Sequence, residues 1–307
     1  MSVIEINNLT KDFRADFWKK KVRVLHDLSF TVNKNEIFGF LGLNGAGKST
    51  TIKILMGILY PTFGSATILG KKIGHVATKD GIGFLPENPY FYEYLTAYEF
   101  LNFHGKIFKI SHKQRAKKAD ELLELVGMTH AKDVPLRRFS KGMLQRIGLA
   151  QALVNDPDLV VLDEPQSGLD PIGRKDVRDI ILNLKDNGKT VFFSSHILPD
   201  VEMICDRIAI IHKGKLVDVG YVGDLINPQI LGIEIVFDAK TDFDLEPMKS
   251  FTNNISRNVN RINVEVDSED KLKEVLSFTS KNHLPLVSVT RHKETLEDIF
   301  LKKVEVI

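Results

Sequence analysis

The sequence predicts an α/β fold organised around a parallel sheet. Three short apolar runs carry that expectation: Ile37–Leu41, Leu159–Leu162 and Thr190–Phe193, each bounded by turn residues. Strands covered on both faces read as continuous hydrophobic runs rather than as alternating ones. A glycine-rich stretch follows the first run. Residues 93–127 and the segment from Met143 onward read as helices.

Taken in order, residues 1–70 read as short strands and turns, interrupted by "EIFGFLGLNGAGKSTTIKILMGIL". There Ile37–Leu41 is a buried strand and Thr50–Leu59 a helix. Residues 93–127 are rich in Lys and Glu and mostly helical. In the next helix Met143, Ile147, Ala150 and Val154 recur at helical spacing and should face a core; Asn155, Asp156 and Pro157 should stop it. The two further apolar runs supply strands, and "IAIIHKGKLVDVG" reads as a hairpin around Lys213–Gly214. Near 222–230 the pattern resets. Strands at 233–238, 262–266 and 285–290 and helices at 269–280 and 294–302 then form a small α/β appendage. The expected division is therefore 1–221 and 222–307, with a helical subdomain at about 88–156.

The chain has 307 residues, 43% of them hydrophobic, and a formal net charge of +2. That suits one large domain or two, and bulk charge gives nucleic-acid binding no support. The single cysteine, Cys205, has no partner for an internal disulfide, which fits a reducing compartment. "MSVIEINNLTKDF" lacks a basic start followed by an apolar core, so no signal peptide is expected. The apolar stretches are too short to span a bilayer, and the longest carries Lys48 and Lys53. Any spanning would fall to another chain.

Gly42-Leu-Asn-Gly-Ala-Gly-Lys48-Ser49 fits G-x-x-x-x-G-K-[ST]. Glycines let backbone N–H groups turn inward around phosphate oxygens, and the helix that follows adds its positive end. The expected nucleotide contacts are Gly42, Asn44, Gly45, Gly47, Lys48, Ser49 and Thr50. Lys48 would reach the terminal phosphates, and the Ser49 hydroxyl would ligand Mg²⁺. A chance glycine turn would lack the strand before and the helix after. Alone, the loop does not separate GTPases, kinases, helicases and transporters.

Leu159–Leu162 ends in Asp163 and Glu164. Burying two carboxylates at a sheet edge is costly unless they bind something. Asp163 can hold Mg²⁺ and Glu164 can accept a proton from an attacking water; the bland alternative is a solvated acidic turn. His196 lies just past Thr190–Ser195. Gly42, Asp163 and His196 thus all fall at carboxyl ends of strands, where open parallel sheets bind ligands, and His196 is a candidate γ-phosphate contact. A last oddity is "FSKGM" at 139–143. Ser140, Lys141 and Gly142 open a helix with a hydroxyl, a cation and a bare backbone, the makings of an anion site.

The ordered set "GLNGAGKST", "FSKGM", "LVVLDEP", "SGLD" at 167–170 and "SSH" at 194–196 resembles an ABC-type ATPase subunit over about residues 2–220. The resemblance implies a nucleotide-binding domain with a parallel-sheet core and a helical subdomain, ATP and Mg²⁺ as cofactors, and a second copy of an ABC ATPase subunit as partner. In that family the serine and glycine of the signature bind the γ-phosphate of ATP held by the opposite subunit; Ser140 and Gly142 match. Asp170 matches the loop that crosses the dimer interface. Phe13 fits the aromatic that stacks on adenine, with Phe17 and Trp18 as substitutes and a core aromatic as the alternative.

The sequence departs from the usual pattern in three places. Lys141 and Met143 replace a glycine and a glutamine of the signature, Gln166 stands where threonine is usual, and Glu87 stands where a glutamine links the Mg²⁺ site to the membrane subunit. The pattern is similar to that of bacterial ABC-2 type exporters, whose ATPase and permease are separate chains. "ETLEDIFLKKV" (294–304) resembles the end of their C-terminal appendage, though its spacing also reads as a plain amphipathic helix. The implied function is ATP hydrolysis powering export through a membrane-spanning permease, at the cytoplasmic face of the membrane and without nucleic acid. The alternatives are a soluble ABC ATPase acting on a macromolecular target and a nucleotide-gated module with little turnover. Tyr90, Phe91, Tyr92, Tyr94, Tyr98 and Phe100 divide between core and a groove for a permease helix. The basic runs Lys19–Lys21 and 112–120 read as solvated faces, with anionic lipid contact as the minor alternative.

Overall fold

The computed structural model describes residues 1–14, 21–226, 230–238, 244, 246–252, 254–258 and 260–305. Phe17, Trp18, Lys19 and Lys20 lie outside the described residues. The chain forms two compact units, Met1–Val222 with Lys303–Ile307, and Gly223–Lys302.

In the first unit the order is β1 (Ser2–Phe13), β2 (Val22–Asn33), β3 (Ile37–Leu41), α1 (Lys48–Leu55), β4 (Phe63–Ile68), β5 (Lys71–Lys72), β6 (Ile82–Leu85), α2 (Ala97–Ile107), α3 (His112–Leu125) and α4 (Lys141–Ala152). Then come β7 (Leu159–Asp163), α5 (Pro171–Asp186), β8 (Thr190–Ser195), α6 (Leu198–Ile204), β9 (Arg207–His212), β10 (Lys215–Tyr221) and the short α7 (Val222–Leu225), which begins at the boundary. The second unit contains β11 (Ile230–Asp238), β12 (Ile255–Asn258), β13 (Arg261–Val266), α8 (Glu269–Lys281) and β14 (Leu286–Lys293), and most of α9 (Leu296–Glu305).

A six-stranded sheet, ordered β10-β9-β3-β8-β7-β6, carries the first unit. Every neighbouring pair is parallel except β9 and β10. Every residue of β3, β7 and β8 is buried, as expected of strands covered on both faces. An antiparallel sheet, β2-β1-β4-β5, brings Phe30 against Phe38, Phe40 and Phe192, with ring centroids 5.4–6.3 Å apart. Register aligns the strand ends of the parallel sheet. Leu41 pairs with Ser195 and Asp163 with Ser194, so the chain leaves β3, β7 and β8 at one level of one edge. In the second unit a sheet ordered β12-β13-β11-β14 packs Ile233, Ile235, Phe237, Ile262 and Val264 with Leu272 and Val275 of α8.

Several boundaries differ from the expectations, each for a local reason. Helix α1 ends at Leu55 rather than Leu59, because Gly57 takes a left-handed φ of 69° and closes the helix. The 93–127 stretch is two helices: Lys109 has a φ of 58°, and Ser111 caps α3 by accepting from Gln114 N. Helix α4 stops at Ala152, and its chain continues through tighter turns to Asn155. Ile147, Ala150 and Val154 are buried as expected, while Met143 is half-buried. Lys213 and Gly214, with φ of 46° and 77°, make the two-residue turn between β9 and β10.

Candidate nucleotide site

The loop from β3 to α1 is shaped by what its glycines allow. Gly47, at the N-cap of α1, has φ 113°, and a Cβ there would lie 2.6 Å from Leu25 Cδ2. Conformation and space both demand glycine. The loop borders a cavity of about 320 Å³. Asn44, Gly45, Gly47, Lys48, Ser49 and Thr50 line one side; Glu87, Glu164 and Val24 complete it. Gly42 lies just before the loop's turn, its carbonyl engaged by Lys48.

Lys48 is buried and folds back over its own loop. Its Nζ donates to Gly42 O at 2.6 Å and Leu43 O at 3.2 Å, and stands 3.0 Å from Glu164 Oε1. That last approach is electrostatic and lacks hydrogen-bond geometry: Oε1 has no hydrogen-bond partner among the described residues. Glu164 Oε2 lies 2.8 Å from His196 Nδ1. The Glu164 backbone has φ 51°, uncommon for a residue with a long side chain. It is fixed by Glu164 N donating to Ser194 Oγ at 2.9 Å. Strain retained at a buried carboxylate is what functional sites keep.

Asp163 sits one residue earlier. Its Oδ1 accepts from Ser194 Oγ at 2.7 Å and from Ser49 Oγ at 3.2 Å. Burial holds its carboxyl above the usual carboxylate range, and the charges of Glu87 and Glu164 push the same way; the two hydroxyls oppose the shift. Ser194 therefore joins both carboxylate residues, a role that motif reading assigned to no residue. No local pattern marks it, because the contact depends on the register of β8 against β7.

The structure thus brings the phosphate loop, Glu87, Asp163, Glu164 and His196 to one place. Four expected residues lie elsewhere. Ser140 is exposed and caps α4, its Oγ accepting from Met143 N at 3.3 Å. A Cβ on Gly142 would meet only Leu169, at 3.9 Å, so packing within this chain does not require glycine there. Lys141 Nζ occupies the space that a side chain at Gly168 would fill. Asp170 is exposed and caps α5, accepting from Gly173 N at 2.8 Å. Phe13 ends β1 opposite Val22, 37% exposed and beneath Lys11 Nζ, so it is no core aromatic. Gln166 is buried, its Nε2 donating to Arg174 O at 3.4 Å.

Of the aromatics after Glu87, Phe91 and Phe100 are buried and Tyr90 and Tyr94 exposed. A separate apolar groove of about 470 Å³ is lined instead by Ile58, Phe84, Ile107 and Phe108, among others. Among the described residues, no helix is long and apolar enough to cross a membrane.

Comparison with known proteins places this arrangement. The family model for ABC transporters matches residues 25–167. An uncharacterised ABC transporter ATP-binding protein of Synechocystis is 43% identical over 307 residues, covering 98% of this chain and 84% of the relative. The bacitracin transport ATP-binding protein BcrA of Bacillus licheniformis is 35% identical over 312 residues, 98% of this chain and 97% of the relative. A solved structure of an ATP-binding subunit of an ABC transporter superposes with a TM-score of 0.65 at 30% identity, covering 73% of this chain and 92% of that one.

Proposed function

This chain belongs to the ATP-binding proteins of ABC transporters, ATPases of the ABC type, and from that premise we propose that it hydrolyses Mg-ATP in a head-to-tail dimer and powers export through a separate membrane-spanning permease. The observation that carries the reading is Glu164, buried between Lys48 and His196 at the edge of the cavity. Subunits of this family generally pair with membrane permeases and dimerise. The work proposed for this one divides into an ATPase domain, 1–221, and an accessory domain, 222–307.

The proposed steps begin with the residues at the cavity. The loop N–H groups and Lys48 take the phosphates, and Lys48 exchanges Glu164 for them. Ser49 and Asp163 present hard oxygens 3.2 Å apart, with Glu87 on the same wall, a donor set that suits Mg²⁺ with substrate phosphates completing its shell. Bound there, the ion would neutralise charge on the transferring phosphoryl group. Freed from Lys48, Glu164 accepts the proton of the attacking water as the water oxygen bonds to the γ-phosphorus and the bond to ADP breaks. His196 orients Glu164 and contacts the γ-phosphate. Ser140 and Gly142 of the second copy close the site from outside, which accounts for a glycine that its own chain does not need. Asp170 crosses the same interface, and Phe13 stacks on adenine.

Export is supported by the similarity to a bacitracin transport subunit over nearly its whole length. The apolar groove beside α2 suits a short amphipathic helix of the permease, which would hold the chain at the cytoplasmic face of the membrane. The test is to purify the full chain with the permease in lipid. Turnover that needs Mg-ATP, and vesicle uptake of cargo that stops with Glu164→Gln, is the expected result. Turnover with no permease able to bind the chain would overturn the export reading.

A further inference from the structure

We propose that Asp200 is a positioning residue for hydrolysis, holding His196 in place through two arginines of α5. The proposal rests on the proposed role of His196, which orients Glu164 and contacts the γ-phosphate. Asp200 is 3% exposed, on the first turn of α6, four residues after His196. Its Oδ1 accepts from Arg178 Nη1, and its Oδ2 lies 3.5 Å from Arg174 Nη1. Both arginines belong to α5, the helix capped by Asp170.

Two observations make this more than packing. First, the local hold on the start of α6 is slight: Ile197 N donates to Ser195 Oγ at 2.9 Å, and Pro199 lies in the first turn. Ile197 occupies the N-cap and has no side chain that can accept a hydrogen bond, and the helix is only seven residues long. Those contacts hold the chain next to Ser195, and the direction of so short a helix beyond them depends on what it packs against. Asp200 is the buried carboxylate of α6, and α5 answers it with two cations. Second, a buried ion pair contributes little net stability compared with apolar side chains of similar size, but it fixes orientation. A carboxylate shared by two guanidinium groups is a costly way to fill space and an effective way to hold an angle.

The consequence is a mechanical link. Helix α5 is also tied to the signature helix α4 by the Arg146–Asp176 ion pair. One helix therefore touches the element that starts at Ser140, carries Asp170 at its own cap and anchors the element that begins just after His196. What the second copy does at Ser140 and Asp170 can reach His196, and so Glu164, by movement of α5.

The test uses the full chain as a dimer, with kcat and KM for Mg-ATP measured separately and thermal midpoints as control. Asp200→Asn should lower kcat about 10- to 100-fold, the penalty of a small misplacement, with KM unchanged. In a His196→Ala background the same substitution should cost almost nothing, because Asp200 acts only through His196. Arg178→Lys, which keeps the charge and loses the fork, should show the same pattern in a milder form; it decides the matter if Asp200→Asn does not fold. An equal loss of kcat in both backgrounds, a parent-like kcat in Asp200→Asn, or a loss confined to KM would overturn the proposal. A parent-like kcat in His196→Ala alone would overturn the site reading itself, and the positioning role with it.

Discussion

Glu164→Gln separates the role that the geometry shows for this residue, counter-ion of Lys48, from the one proposed for it, base during turnover. At 3.0 Å and an effective dielectric near 20, the Lys48–Glu164 attraction is about 5 kcal/mol before desolvation is counted. Removing one partner of a buried pair typically costs about 3–5 kcal/mol. The lower end applies, because Lys48 keeps the carbonyls of Gly42 and Leu43. For a domain of this size about 3 kcal/mol corresponds to a fall in the nucleotide-free melting temperature of about 6–12 °C. ATP should reverse the deficit, since its phosphates replace the missing charge. The variant should therefore bind ATP up to about 100-fold more tightly than the parent while turning over about 10²–10⁴-fold more slowly. Melting curves with and without ATP, equilibrium binding and phosphate release cover the three quantities. Unchanged melting and unchanged ATP affinity would mean that the ion pair contributes nothing. Near-parent turnover would remove Glu164 from the chemistry.

The remaining predictions concern its neighbours. Lys48→Ala should weaken ATP binding about 10- to 100-fold by loss of a charge-assisted contact, measured by titration; unchanged affinity would contradict the loop assignment. Glu87→Gln should bind metal-free ATP more tightly than the parent and Mg-ATP equally well, because a carboxylate on that wall repels phosphate until a cation intervenes; equal metal-free affinities would place Glu87 outside the metal shell. Asp163→Asn should abolish turnover yet raise the nucleotide-free melting temperature near neutral pH. A carboxyl held above its unfolded value by burial favours the fold while protonated and loses that contribution as pH rises through the raised value. The gap between variant and parent should close as pH falls toward the carboxylate range. A variant less stable than the parent at neutral pH would show that the charge is not a burden.

How much of the site was legible depends on where the information lies in the chain. Gly42 to Thr50 are contiguous, and their chemistry is set by residue types at fixed spacing. Asp163, Glu164 and His196 were findable because each ends an apolar run, and a parallel sheet gathers such ends. Ser194 was not, because its contacts depend on the register of β8 against β7, which no local pattern encodes. The same holds for the ion pairs of α5, which join residues 22 and 30 positions apart in sequence. Edge strands β6 and β12, four residues each, are too short to show a period. Helix ends slipped at Gly57 and Ser111, where one cap residue outweighs the trend of the stretch around it.

The central claim is that a working site is built from two chains, and subunit mixing tests it most directly. Ser140→Arg should leave ATP binding to the monomer intact and block hydrolysis, because in the proposed dimer Ser140 serves the opposite nucleotide. Lys48→Ala should block its own site. A dimer of one chain of each kind would hold one complete site, with Lys48 from the first and Ser140 from the second. Two inactive preparations mixed together should then regain a minority of parent turnover, highest near equal proportions. No recovery at any ratio, in samples where mixed dimers are shown to form, would mean that Ser140 works within its own subunit or has no part in hydrolysis.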